Sequence, residues 1–176
     1  MKKKKSLTEI LGWATYLALA FAGAFIINKT VIANAVVISA SMENTIMTDS
    51  RVMGLRIAYF FNGPQRFDII LFTPPDDLES VPYVKRVIGL PGEKVEIRDG
   101  KVYIDDSTVP LEDSFVRETA RGNYGPFDVP NGCYFVLGDN RNNSFDSKNW
   151  VNTYVPENLI IGKVYFEYWP SLGMLH

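Results

Sequence analysis

At 176 residues, 47% of them hydrophobic and 13% aromatic, the chain can bury one sizeable core but not several. Its 18 basic and 20 acidic side chains give a net charge of −2, and the basic ones form no stripe beyond the first five positions, which argues against a nucleic-acid partner. A single cysteine, Cys133, excludes an intramolecular disulfide.

The first predicted element is a membrane segment. Lys2, Lys3, Lys4 and Lys5 precede Ile10–Ile27, eighteen residues without a charged side chain. As a helix these rise about 27 Å, close to the roughly 30 Å hydrocarbon core of a bilayer. Trp13 and Tyr16 lie near the end that the lysines hold on the cytoplasmic side. The expected organisation is a short basic cytoplasmic tail (1–9), a transmembrane signal-anchor helix (10–28) and an extracytoplasmic body (29–176). With Lys2–Lys5, Lys29 and Glu9 set aside, 13 basic and 19 acidic side chains remain, an acidic balance that suits the outer side of a bacterial cell membrane. A cleavable secretory signal is the competing reading, since Ala33-Asn34-Ala35 has the small-x-small form at which such signals are cut. The apolar run is longer than such a signal's core, so an uncleaved anchor is preferred. The same tripeptide raises the expectation that a second copy clips the chain after Ala35.

From Val31 onward, β-branched and aromatic runs of four to eight residues are punctuated by Gly, Pro, Asn and Asp, without long helical periodicity. The pattern predicts strands over Val31–Ile38, Val52–Phe60, Asp68–Phe72, Tyr83–Ile88, Lys94–Arg98, Lys101–Ile104, Cys133–Leu137 and Gly162–Tyr168. Asp99-Gly100, between two alternating runs, reads as a tight hairpin, because glycine tolerates the positive φ of a primed turn. Gly63-Pro64 and Pro74-Pro75 mark loops, and the polar Asp105–Pro130 stretch reads as a less regular cap or flap. The predicted fold class is all-β, a single β-body on one helical stalk.

Hydrolytic chemistry needs an activated nucleophile, and most serine triads use histidine as the base. The only histidine, His176, is the last residue, and chain ends are rarely held rigidly. Cys133 lies within the apolar run Cys133–Leu137 and reads as a structural thiol. One histidine, one cysteine and scattered carboxylates have no metal-ligand spacing, and no glycine-rich phosphate loop precedes a helix. Neither a metal nor any other cofactor is expected. A lysine is then the remaining base. In Tyr83-Val84-Lys85-Arg86-Val87-Ile88-Gly89, strand alternation places Lys85 and Arg86 on opposite faces, so one of the two cations must point inward. Loss of hydration favours a neutral amine, which can accept a serine proton. Taken singly, Lys85-Arg86 is also what a solvated strand edge looks like, and Ser39-Ala40-Ser41-Met42-Glu43-Asn44-Thr45-Ile46 is also what a polar turn looks like.

Together the two stretches resemble the type I signal peptidases, in which a Ser-x-Ser-Met-x-Pro-Thr-Leu box carries the nucleophile and a Tyr-Val-Lys-Arg-Val-x-Gly-x-Pro-Gly-Asp/Glu box carries the base. Tyr83–Glu93 matches the second almost throughout. Arg66–Phe72 and Leu137–Lys148 resemble two further boxes, so the likeness runs in family order from residue 2 to about 150. The resemblance implies a signal-peptidase-like β-sheet or partial barrel and a Ser-Lys dyad, with Ser41 as nucleophile and Lys85 as general base. It assigns the oxyanion hole to the Ser41 N–H and the Ser39 hydroxyl, and the orienting of the lysine amine to Ser144. Asp139, Arg141 and Asp146 become a supporting shell, and Val37, Met42, Ile46, Tyr83 and Val84 become the walls of small side-chain pockets. For the pocket residues, ordinary core packing is an equally good account.

The implied activity is endoproteolytic removal of signal peptides after Ala-x-Ala-like sites. Its partners would be preprotein substrates, the lipid bilayer and, by proximity, the protein-export machinery, with no metal or nucleic acid. Exposed-looking Tyr59-Phe60-Phe61 is a candidate for touching the bilayer. Two departures stand out: Asn44 replaces the usual proline, which should loosen the turn after Ser41, and Lys148 replaces the usual arginine beside Asp146. The competing readings are another Ser-Lys peptidase on a similar scaffold, and an inactive membrane-tethered β-domain that binds exported chains.

Overall fold

The computed structural model describes residues 7–175; the Lys2–Lys5 cluster and His176 lie outside them. Helix α1 runs Leu7–Thr30, a turn earlier and two residues later than expected. Eighteen consecutive residues within Glu9–Thr30 reach a mean hydropathy of 2.0, and none of them is buried in the rest of the chain. The Thr15 and Thr30 hydroxyls donate back to the Leu11 and Ile26 carbonyls, at 2.9 and 2.8 Å, so neither polar group interrupts the helix.

The body is built from β1 (Ile32–Val36), β2 (Arg51–Leu55), β3 (Ile69–Phe72), β4 (Tyr83–Gly89), β5 (Lys94–Arg98), β6 (Lys101–Ile104), β7 (Tyr124–Asp128), β8 (Cys133–Leu137), β9 (Val155–Pro156), β10 (Ile160–Trp169) and β11 (Gly173–Met174). One antiparallel sheet has the order β1-β2-β10-β3-β4-β8-β9, with β11 on β10; a smaller sheet has the order β6-β5-β7. Thus the body is all-β, as its alternation predicts. Strand β3 shows why the apolar runs are continuous. Ile69 and Leu71 pack into one core cluster, Ile70 and Phe72 into another, and all four are buried. A strand covered on both faces has no polar side, and each such side chain contributes roughly 1.5–3 kcal/mol.

The Asp99-Gly100 turn closes β5 on β6 with both residues at positive φ, 48° and 77°. A third cluster, including Ile88, Val95, Phe135 and Leu137, joins this hairpin to the main sheet. Two expectations change. The strand expected over Val52–Phe60 ends at Leu55, because its partner β1 begins at Ile32; Arg56 N–H then bonds to Val31 O at 2.8 Å and Arg56–Tyr59 turns as a 3-10 helix. The 105–130 stretch is not wholly irregular, since Tyr124–Asp128 forms β7 on the edge of the small sheet. Pro126 hides that strand from sequence patterning, and an edge strand tolerates its missing N–H.

Candidate active site

The turn that follows β1 and strand β4 meet in a cleft of about 570 Å³, walled by Val36–Ser41, Pro82–Lys85 and the Asn142–Phe145 loop. Ser41 lies in the 3-10 turn Ala40–Met42. At the turn's N-cap, Ser39 is extended and its side chain makes no capping bond; its Oγ lies instead 3.1 Å from Ser41 Oγ. The capping role that a serine usually plays there is absent, and the hydroxyl faces the cleft.

Lys85 and Arg86 are both buried, 3% and 1% exposed, because β4 is covered on both faces. Strand alternation alone requires only one of them to turn inward, and the second burial is a correction to that reading. Lys85 Nζ is hydrogen-bonded to Ser41 Oγ. Burial lowers the Lys85 pKa from 10.5 to about 8; Lys148 lowers it further, while Asp146 and Asp139 pull it upward. A buried amine with that pKa is substantially neutral at mildly alkaline pH. In the neutral form the same contact runs the other way, with the Ser41 hydroxyl donating.

Arg86 carries the opposite face. Its Nε and Nη2 donate to the two Asp139 oxygens at 2.8 and 2.7 Å, its Nη1 donates to Phe67 O at 2.8 Å, and its guanidinium lies 4.0 Å from the Phe115 ring centre. Asp139 also accepts from Thr45 Oγ1 at 2.5 Å. This fork-to-fork pair therefore links β4, the segment after β8 and the turn bearing Ser41. Asn140 adds two ties to that turn, N–H to Ser41 O at 3.1 Å and Nδ2 to Ala40 O at 3.0 Å.

The Ser144 loop is held from beneath and from outside. Asp146 accepts from Gly138 N–H at 3.0 Å and from Lys148 Nζ at 3.0 Å to each oxygen, so the lysine reaches both carboxylate oxygens from one nitrogen. Arg141 donates through Nη1 to Asp113 at 2.8 Å and through Nε to Gly138 O at 3.2 Å. Glu118 accepts from Asn142 N–H and Nδ2 at 2.9 and 3.1 Å. The 105–130 segment thus clasps the Arg141–Asn143 turn from the outside.

The sequence-predicted residues do not all reach the cleft. Val37, Ser39, Ser41, Tyr83, Val84, Lys85 and Ser144 line it. Met42 and Ile46 do not: both are wholly buried and pack with Val84 beneath the cleft floor. Ser144 Oγ is buried without a hydrogen-bond partner among the described residues, and Lys85 has Ser41 rather than Ser144 as its partner. Asn44 has φ 82°, a left-handed conformation that proline cannot adopt. Asparagine therefore suits this turn rather than loosening it. Tyr59 is tied to Asp68 at 3.0 Å, leaving Phe60 and Phe61 exposed. Ala33 and Ala35 sit inside β1, paired with Gly54 and Val52, so the bond after Ala35 belongs to the sheet.

Sequence reasoning passed over Arg86, Thr45, Asp113, Phe115 and Asn140. Arg86 and Asn140 adjoin residues it did select. Asp113 and Phe115 lie in the aperiodic segment, where no local signal marks them. No group of His, Cys, Asp and Glu among the described residues could hold a metal ion.

Residues 10–169 match a family described as signal peptidase, peptidase S26. Signal peptidase I S of Bacillus subtilis (strain 168) is 33% identical over 97% of this chain and 93% of its own length. Signal peptidase I of Leptolyngbya laminosa is 41% identical over 75% of this chain. The chain spans 66% of that protein and 64% of a probable signal peptidase I-2 of Synechocystis sp., just under two thirds of each. A solved structure of a signal peptidase I from Enterococcus faecalis V583 is 35% identical, covering 58% of this chain and 97% of that one, with a TM-score of 0.49.

Proposed function

The chain belongs to the signal peptidase, peptidase S26, family, and on that premise we propose that it is a membrane-anchored serine endopeptidase that removes N-terminal signal peptides from exported preproteins. The observation that carries the reading is the buried hydrogen bond between Ser41 and Lys85 on the wall of an open cleft. In the proposed mechanism neutral Lys85 accepts the Ser41 proton as Oγ attacks the scissile carbonyl, and then returns it to the departing amine. The Ser41 N–H and Ser39 hydroxyl stabilise the developing oxyanion; loss of one such donor typically costs about 3–4 kcal/mol. Once Ser41 is acylated, Lys85 loses that partner. The Ser144 hydroxyl on the same cleft, without a partner among the described residues, is then available to hold the amine.

Substrate binds as an extended strand in the cleft, where Val37, Tyr83 and Val84 leave room for small side chains of an Ala-x-Ala-like site. Helix α1 anchors the chain with residues 1–9 on the cytoplasmic side and the body from 29 onward outside. Ser41, thirteen residues beyond Asn28, then works near the bilayer surface, with Phe60 and Phe61 free to contact it. The test is cleavage of a preprotein whose signal peptide ends in Ala-x-Ala by wild type, Ser41→Ala and Lys85→Ala. Wild type should cleave after the second alanine and neither variant should, with folding retained by circular dichroism. Retained cleavage in either variant would remove the dyad, and no cleavage by wild type would favour a non-catalytic preprotein-binding domain.

A further inference from the structure

We propose that a second pocket, adjoining the cleft across Ser144, is a subsite for a carboxylate of the bound polypeptide, read by Arg121 and Arg141. It rests on the proposed peptidase activity and adds a specificity element to it. The pocket holds about 210 Å³ and meets the cleft along Asn142, Ser144 and Asn149. Among the described residues, three cations line it, Arg121, Arg141 and Lys148, and no carboxylate does.

Two of the cations have partners set back from the lining. Lys148 is held by Asp146 and by Ser144 O at 3.1 Å, and Arg141 Nη1 by Asp113. Glu118, the other nearby acid, is engaged with Asn142. What remains is an unmatched donor set. Arg141 is 6% exposed, yet its Nη2 has no hydrogen-bond partner among the described residues. Leaving such a donor unmade costs free energy that an incoming acceptor recovers. The Arg121 side chain is exposed and makes no ion pair among the described residues, while its backbone N–H is pinned to Asn142 Oδ1 at 3.1 Å. Planar guanidinium groups suit a planar carboxylate.

Position selects the part of the substrate. No residue of β1 or β4 lines this pocket, so it lies away from the apolar walls assigned to the small residues before the scissile bond. It is left for the first residues after that bond.

The experiment uses the full chain in detergent micelles and paired fluorogenic peptides, identical except for Glu or Gln at each of the first three positions after the cleavage site. At one position Glu should raise kcat/KM about five- to tenfold over Gln, mainly through KM, and the advantage should shrink with added salt. The Glu/Gln ratio should fall toward one in Arg121→Gln and below one in Arg121→Glu. The same pairs, titrated by fluorescence anisotropy onto Ser41→Ala, read the preference independently of cleavage. Equal behaviour of Glu and Gln at all three positions, or a preference untouched by both Arg121 changes, overturns the subsite. So does Arg121-dependent binding to phosphatidylglycerol vesicles without any Glu/Gln difference, which would assign the pocket to a lipid phosphate. If the Glu preference in binding is present but no peptide is cleaved, the proposed activity falls and the subsite stands.

Discussion

Ser41 Oγ and Lys85 Nζ, 44 residues apart in sequence, are hydrogen-bonded between a 3-10 turn and a central strand. Both ends of the contact are anchored from behind: Asn140 holds the backbone carbonyls of the turn, and the Arg86–Asp139 pair holds β4 beside it. The geometry is thus built into the core rather than into a mobile loop.

Catalysis should follow the titration of Lys85. Burial lowers its pKa to about 8, and the working form is the neutral amine. Initial rates measured from pH 5 to 10 should rise about tenfold per pH unit below the midpoint near 8, then level off. A flat profile would contradict Lys85 as the base.

The same burial should cost stability. The folded-state pKa lies below the unfolded value of 10.5, so the unfolded chain binds more protons between about pH 8 and 10.5, and stability rises with pH across that window. Below it the penalty is constant. Lys85→Met should therefore be inactive yet more stable than wild type at pH 6–7, by on the order of 2–3 kcal/mol, with the gap closing toward pH 10.5. Denaturant unfolding at several pH values tests both sign and window.

Asn44→Pro, which restores the residue common in related motifs, should be harmful here. Position 44 has φ 82° and proline is confined near −65°. The turn bearing Ser41 should be disrupted, with a loss of about 3 kcal/mol or more and of cleavage. Asn44→Gly should be tolerated, since glycine accepts the same φ. Thermal melts of the two variants give the comparison.

Gly138→Ala should act on two site residues at once. A Cβ there would fall 2.3 Å from Ser144 Oγ and 2.3 Å from Ser41 O. The nucleophile turn and the Ser144 loop would have to separate. We expect a stability loss of about 1–3 kcal/mol and a disproportionate fall in kcat, at least about a hundredfold.

Wild type and Ser41→Ala, purified side by side, should both be full length, their masses differing only by the one oxygen atom that the substitution removes. Ala33-Asn34-Ala35 reads as a cleavage site in sequence, but cutting after Ala35 requires β1 to leave its pairing with β2. A shorter wild-type species by mass spectrometry would show that β1 detaches readily enough to be processed.

Local chemistry determined much of this protein by itself. The apolar span, the strands of β3 to β6 and β8, and the Asp99-Gly100 turn are each written in a few consecutive residues, because periodicity and backbone preference act over short range. Ser41 and Lys85 were legible as candidates only through elimination and resemblance to a motif. What only the tertiary structure decided are relations between distant segments. It placed Met42 and Ile46 under the floor, left Ser144 Oγ without a partner among the described residues, buried Arg86 against Asp139, and put Asp113, Phe115 and Glu118 of an aperiodic segment onto the site. The physical reason is that burial and ion pairing depend on what lies on the far side of a strand. That partner is set by folding of the whole sheet, not by the residues next in line.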